Sequence, residues 1–216
     1  MSGSKSFSVA DICNMIDIQL VVYAMAAVDL YNKGELKYKR GDFSAEITGI
    51  LYNKLRDDMA KVENADDEKA VGEAVGNTMK LNGAVILNTT ESGEPDISAA
   101  LLMDRGIIEN NKSEFLKFNL TQSGAVTKNS EYLTREQFEK LVEYAKKGIL
   151  DYNKRIRGGD IRIMPSKDKT ELACRWCEMS EICLFDNERD SIRPLCSSND
   201  AAWEIIKRET ELQDSD

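Results

Sequence analysis

Thiol chemistry in this sequence is concentrated in one place. Cys174, Cys177 and Cys183 form a C-x2-C-x5-C run, Cys174-Arg175-Trp176-Cys177-Glu178-Met179-Ser180-Glu181-Ile182-Cys183. Three thiols this close can share one metal centre or pair transiently. Three readings compete: small buried hydrophobes, a structural zinc site, or an iron–sulfur centre. Zinc wants four ligands, usually thiolate or imidazole, and the chain has no histidine. Thiolate-only ligation suits an iron–sulfur cluster, which is the favoured reading. Such a cluster needs a fourth ligand. The remaining cysteines, Cys13 and Cys196, are the candidates within the chain, and neither spacing is compelling.

Two further groups of residues could do chemistry. Gln19 and Tyr23 stand four apart and share one face of a helix. A polar pair on an apolar helix must find partners or line a cleft, although pairs of this kind are most often structural. Lys146, Lys147, Lys154, Arg155, Arg157 and Arg162 make the end of a long helix and its exit basic. Cations favour helix C-termini through the macrodipole, and phosphate contact is the functional alternative.

The elements that position these residues follow from periodicity and caps. Ser8 to about Leu30 reads as one helix, with Ser8 as its cap, Asp11 in its first turn and Gly34 beyond its end. From Ile18 to Val28 it is apolar on nearly every side, which predicts burial. Ala45 to Leu55 reads as a strand, Asp57 to Glu68 as a solvated connection, and Glu68 to Leu81 as a helix ending near Asn82-Gly83. Ile97 to Met103 reads as a short helix, and Phe115–Leu120 with Gln122–Val126 as a strand pair around a turn. Thr134 and Gln137 make a capping box opening a strong helix. Its apolar stripe is Phe138, Leu141, Val142, Tyr144, Ala145, Ile149 and Leu150, and Gly158-Gly159 stops it. Extended chain from Asp160 to Pro165 leads into the cysteines. A last helix, about Asp200 to Leu212, is mostly polar and is expected to be loosely attached.

Composition narrows the class. The 216 residues suffice for one good core, or a core plus an appended module. A hydrophobic content of 42% with 31% charged residues is that of a globular protein. A net charge of −9 argues against coating nucleic acid by bulk charge but leaves room for a local basic groove. The absence of histidine removes Ser-His-Asp and Cys-His catalysis and imidazole proton shuttles. Five cysteines, an N-terminus without the apolar core of a secretory signal, and no apolar run long enough to span a bilayer point to the reducing cytoplasm.

Together these residues resemble a known family. Ile18-Gln19-Leu20-Val21-Val22-Tyr23 is followed by Gly49-Ile50-Leu51-Tyr52 and by Gly159-Asp160-Ile161-Arg162-Ile163-Met164-Pro165. Cys174, Cys177 and Cys183 then run into Leu184-Phe185-Asp186. This order is similar to the RecB-like iron–sulfur nucleases, and within them to the C-terminal nuclease domain of the AddB family of ATP-dependent helicase–nuclease B subunits. The resemblance reaches to about Asp186, and the cysteine run is its most specific part.

The resemblance implies an α/β, PD-(D/E)xK restriction-endonuclease-like mixed sheet flanked by helices, incomplete at its N-terminus, with a C-terminal cysteine-ligated metal module. Residues 1–165 would be the C-terminal portion of the nuclease domain, 166–190 the iron–sulfur module and 191–216 a polar helical tail. The implied activity is Mg²⁺-dependent DNA exonuclease action in end resection for double-strand-break repair, with DNA and an AddA-type helicase–nuclease subunit as partners. Cys174, Cys177 and Cys183 would ligate a 4Fe–4S cluster whose fourth ligand lies upstream of this chain, and Gln19 and Tyr23 would face the DNA and metal cleft. In the family a D-Y-K strand end precedes Ser-Gly and then the Gln-x-x-x-Tyr helix. Here Ser2-Gly3 follows Met1, so the chain is expected to begin one step after its catalytic lysine. No residue carries over as an acidic metal ligand or as that lysine, and the chain alone is expected to be inactive. The alternative is a stand-alone, non-catalytic metal-binding module that binds DNA or a partner subunit, with Cys13 or Cys196 as fourth ligand.

Overall fold

The computed structural model describes residues 7–35, 46–53, 60–62, 66–167 and 171–211. The N-terminal helix is two helices, α1 (Val9–Cys13) and α2 (Gln19–Asn32). Ser8 caps α1 as expected, its hydroxyl accepting from the Asp11 N–H. The break comes at Met15, which takes φ 57. Ile16 N–H donates to Asp11 O and Met15 N–H to Ile12 O, a Schellman closure without its usual glycine. Tertiary packing holds this unfavourable residue in place: the Met15 thioether fills the space beside Gly148, 2.6 Å from where a Cβ would stand.

The chain divides into two units, Met1–Phe7 with Leu20–Glu139 and Ser8–Gln19 with Lys140–Asp216. The first is built on a mixed sheet of β1 (Gly49–Tyr52), β2 (Asn82–Thr89), β3 (Pro95–Asp96) and β4 (Tyr132–Thr134). The central β2 pairs antiparallel with β1 (Gly49 opposite Val85) and β3, and parallel with β4 (Val85 opposite Tyr132). Of the strand expected over 45–55, the described part that pairs is β1; residues 45 and 54–55 lie outside the described residues. Much of the connection expected over 57–68 also lies outside them. The helix expected from Glu68 is α3 (Glu68–Met79), capped by Asp67.

Ala84, Val85, Ile86 and Leu87 of β2 are fully buried, as befits a central strand covered on both faces. Gly83 is required there, because a Cβ would stand 2.0 Å from Ile50 O. Val85 and Leu87 pack with Ala100 of α4 (Ser98–Met103), Ile107 of α5 (Gly106–Asn110), Leu116 and Phe118. The strand pair expected over 115–126 shrinks to a turn with one antiparallel bridge, Leu120 with Val126, and among the described residues no full strand forms there. The turn itself closes by backbone bonds, Thr121 N–H on Ala125 O at 2.8 Å and Thr127 N–H on Asn119 O at 3.0 Å, while Asn119 N–H meets the Ser130 Oγ side chain.

A buried carboxylate ties that segment down. Asp104, just past α4, accepts from Gly106 N–H at 2.9 Å, Ser113 Oγ at 2.6 Å, Glu114 N–H at 2.8 Å and Phe115 N–H at 3.4 Å. Burial opposes its charge, but these donors together hold the carboxyl below its usual range.

The long helix α6 (Arg135–Arg157) opens on the expected capping box, with Thr134 N–H on Gln137 Oε1 at 2.9 Å and Gln137 N–H on Thr134 Oγ1 at 3.2 Å. It ends where expected: Gly159 takes φ 72, and Asp160 N–H and Gly159 N–H close back onto Arg155 O and Ile156 O. Phe138, Leu141 and Ala145 of its stripe are buried, whereas Leu150 faces solvent, against expectation.

The second unit contains α1, most of α6 and α8 (Asn199–Glu211). The expectation of a loosely attached last helix is corrected. Ala202, Ile206 and Thr210, spaced i,i+4,i+8, are buried, and α8 packs on α1. Asn199 Oδ1 accepts from Ala10 N–H, and Glu209 pairs with Lys147 at 2.8 Å.

Candidate functional site

The expectation of a wholly buried apolar α2 fails in an informative way. Val21 and Ala24 are its buried residues. Gln19, Tyr23, Ala26 and Leu30 are exposed, and their i,i+4,i+7,i+11 spacing makes one stripe of the helix. Tyr23 keeps 60% of its surface accessible. Gln19 and Tyr23 therefore do not form an interior polar pair. They present an amide and a phenol, one turn apart, at the surface. An amide can donate to a phosphate oxygen, and a phenol ring can stack on a base or donate through its hydroxyl.

The cysteine run sits on an excursion closed at its base. Extended chain after α6 leads to β5 (Ser166–Lys167), which pairs in parallel with β6 (Arg193–Pro194). Arg193 N–H on Pro165 O and Leu195 N–H on Lys167 O complete the clasp. Between these strands, Cys174 lies in a 3-10 turn (Ala173–Trp176), Cys177 follows it, and Cys183 ends α7 (Ser180–Cys183). Cys177 N–H donates to Cys174 O, so the first two thiols flank one tight turn. All three are free, Cys177 exposed and the other two half-buried. By donor type, three thiols suit a thiolate-ligated cluster, but their positions here do not gather them around one. Among the described residues no group of three or more Cys, Asp or Glu is gathered closely enough to hold a metal ion, so three of the ligands of a cluster, or the carboxylates of a magnesium centre, do not stand together there.

Cys13 and Cys196 do not join the run. Both line one cavity in the second unit, where Cys13 is buried against Tyr144. Burial pushes the Cys13 thiol up, with Cys196 adding to the effect and the Tyr144 hydroxyl offsetting part of it. Sequence spacing held no signal of this shared cavity, because nearly the whole chain separates the two.

The basic exit of α6 is largely self-neutralised. Asp160 accepts from Arg162 at 2.7 Å and Arg155 at 2.8 Å, which hold its carboxyl far below the usual range. Lys147 pairs with Glu209, and Lys154 lies 3.9 Å from Asp151. The two Asp160 pairs brace the turn out of α6 into the extended Asp160–Pro165 segment, and the ion pairs together weaken the case for a continuous phosphate track.

Comparison with known proteins places this arrangement. The family model described as the PD-(D/E)XK nuclease superfamily matches residues 3–184, from the N-terminal edge of the chain to just past Cys183. The chain is also similar to proteins named as the B subunit of an ATP-dependent helicase/deoxyribonuclease. It is 28% identical to that of Clostridioides difficile (strain 630) over 208 residues, 95% of this chain and 17% of the relative. It is 29% identical to that of Clostridium kluyveri (strain NBRC 12016) over 186 residues, 86% and 15% respectively. With Alkaliphilus oremlandii (strain OhILAs) the identity is 29% over 220 residues, 97% and 17%. The chain thus spans less than a fifth of the length of the relatives it matches. Among the described residues no helix is long and apolar enough to cross a membrane.

Proposed function

This chain belongs to the PD-(D/E)XK nuclease superfamily, and from that premise we propose that it forms the C-terminal portion of the nuclease domain of a helicase–nuclease B subunit. The whole protein would degrade DNA ends during double-strand-break repair in the cytoplasm, together with an AddA-type helicase–nuclease subunit. One observation carries the reading: the family match spans the Gln19–Tyr23 helix and ends just past Cys183, and Gln19 and Tyr23 share the exposed stripe of that helix.

Within this reading Gln19 and Tyr23 contact the nucleic-acid strand. The amide takes a phosphate oxygen, and the ring of Tyr23 stacks or donates from its hydroxyl. Cys174, Cys177 and Cys183 hold three corners of a 4Fe–4S cluster whose fourth ligand lies outside this chain, since Cys13 and Cys196 face a cavity of their own. When bound, the cluster would serve as a structural pin for the excursion clasped by β5 and β6. None of the residues here carries over onto the acidic Mg²⁺ ligands or the lysine of the family's hydrolytic centre. The chain alone is therefore proposed to bind DNA without cutting it.

The test uses the purified chain, prepared anaerobically, with linear duplex DNA carrying single-stranded ends. The expected result is a brown protein whose iron is lost in a C174S/C177S variant and which leaves DNA intact with Mg²⁺. Magnesium-dependent cleavage by the chain alone would overturn the proposed inactivity. A colourless preparation containing zinc but no iron would overturn the cluster assignment.

A further inference from the structure

Two cysteines that the proposed function does not use line one cavity of the second unit, the backbone of one tied to the residue next to the other. Cys13 ends α1 and is buried, and Cys196 follows β6 and is half-buried. Asn14, the residue after Cys13, grips Cys196 at both backbone groups. Its Nδ2 donates to Cys196 O at 2.8 Å, and its Oδ1 accepts from Cys196 N–H at 2.9 Å. Each side of this clamp is itself anchored: Arg193 donates to Asn14 O at 3.0 Å, and Tyr144 Oη donates to Cys13 O at 2.9 Å. The thiol of Cys13 donates to Tyr144 Oη, and that of Cys196 to Ser198 O. Both residues line one cavity of about 340 Å³ that opens to solvent. A small oxidant therefore has a way in.

We propose that Cys13 and Cys196 are an oxidisable pair that closes into an intrachain disulfide, stapling the end of α1 to the segment that leads into α8. With a peroxide as oxidant, the more accessible Cys196 reacts first. Its thiolate attacks one peroxide oxygen, the O–O bond breaks, and the leaving hydroxide takes up a proton to become water, giving a sulfenic acid. The Cys13 sulfur, having given its proton to solvent, then attacks the Cys196 sulfur. The S–S bond forms as the S–O bond breaks, and the departing hydroxide is protonated to a second water. Two thiols and one hydrogen peroxide thus yield one disulfide and two waters. The bond closes a loop that contains most of the chain, so the oxidised form should resist unfolding better than the reduced one. It would also remove both thiols from any competition for the metal of the cysteine run.

The experiment treats the full chain carrying C174S, C177S and C183S with a small excess of hydrogen peroxide, quenches with catalase and maps peptides without reduction. The expected result is an intact mass lower by two hydrogen atoms, a Cys13–Cys196 cross-linked peptide released by dithiothreitol, and an upward shift of the thermal midpoint. C13S and C196S should each abolish all three changes. The same peptides read in the wild-type chain make the answer independent of how well the triple variant folds. The proposal is overturned if Cys13 stays open to alkylation while Cys196 gains oxygen, or if both thiols survive the treatment unchanged.

Discussion

Replacing Asp104 by asparagine tests most sharply how the first unit is held together. Oδ1 of Asp104 takes the Gly106 N–H, and Oδ2 takes Ser113 Oγ, the Glu114 N–H and, more weakly, the Phe115 N–H. Asn has one acceptor oxygen and one NH₂ donor, so one of the two positions must confront N–H donors. The cheaper orientation puts the amide nitrogen against Gly106 and keeps the oxygen on Ser113 and Glu114. That still leaves one buried donor unsatisfied, at about 1–3 kcal/mol, and turns the other bonds from ionic to neutral, at about 1 kcal/mol more. We expect D104N to lose about 2–4 kcal/mol in urea unfolding followed by far-UV circular dichroism, with an unchanged m-value. Ser113 also accepts from Leu116 N–H at 2.8 Å, so S113A should cost about 2 kcal/mol. The double variant should lose less than the sum of the two by about 1 kcal/mol, because they share a bond. A D104N loss within about 0.5 kcal/mol of the parent, the range of ordinary surface changes, would refute this account.

Three further outcomes follow from the same structure. The folded Asp104 carboxyl titrates below its unfolded counterpart, so its stabilisation is whole above the unfolded pKa of roughly 3.9 and is lost as pH falls through the folded value; the urea midpoint of the parent should therefore fall further in acid than that of D104N. T134A removes the oxygen that accepts the Gln137 N–H and should cost about 1 kcal/mol by the same titration, and a loss as large as that of D104N would contradict the cap. Finally, G83A forces a Cβ into Ile50 O across the β1–β2 pair, so a loss of about 3 kcal/mol or more is expected, and an unchanged midpoint would contradict the strand register.

Local chemistry was the legible part of this fold. The Thr134–Gln137 box, the Gly158–Gly159 stop, the Ser8 cap and the start of α3 depend on neighbours a few residues away, and each stands where spacing placed it. What escaped depends on distant partners. Met15 carries no stop signal, and the helix breaks there because its side chain seats beside Gly148. The buried run Ala84–Leu87 follows a glycine that reads equally as the end of α3, and only pairing to β1 and β4 makes it the central strand. The last helix looks polar because its buried stripe, Ala202, Ile206 and Thr210, is narrow and not very apolar.

The candidate site divides in the same way. The types and order of Gln19, Tyr23 and the three run cysteines were readable because motif chemistry is local. The exposure of the Gln19–Tyr23 stripe was not, since α2 is apolar enough to suggest burial all round. Nor was the cavity that Cys13 and Cys196 share, which Asn14 helps to form by bonding the Cys196 backbone across nearly the length of the chain.

The central claim is that the exposed stripe of α2 meets DNA, and the most direct measurement is fluorescence anisotropy of an end-labelled duplex with a single-stranded tail. The titrant is the anaerobically purified chain, first as wild type and then as Q19A/Y23A, at two salt concentrations. Tyr23 is 60% exposed, so the variant should still fold, as far-UV circular dichroism checks, and lose affinity by about tenfold or more, the loss of one stacked base and one phosphate contact. Equal affinity of the two proteins, or no binding by the folded wild type, would contradict the account.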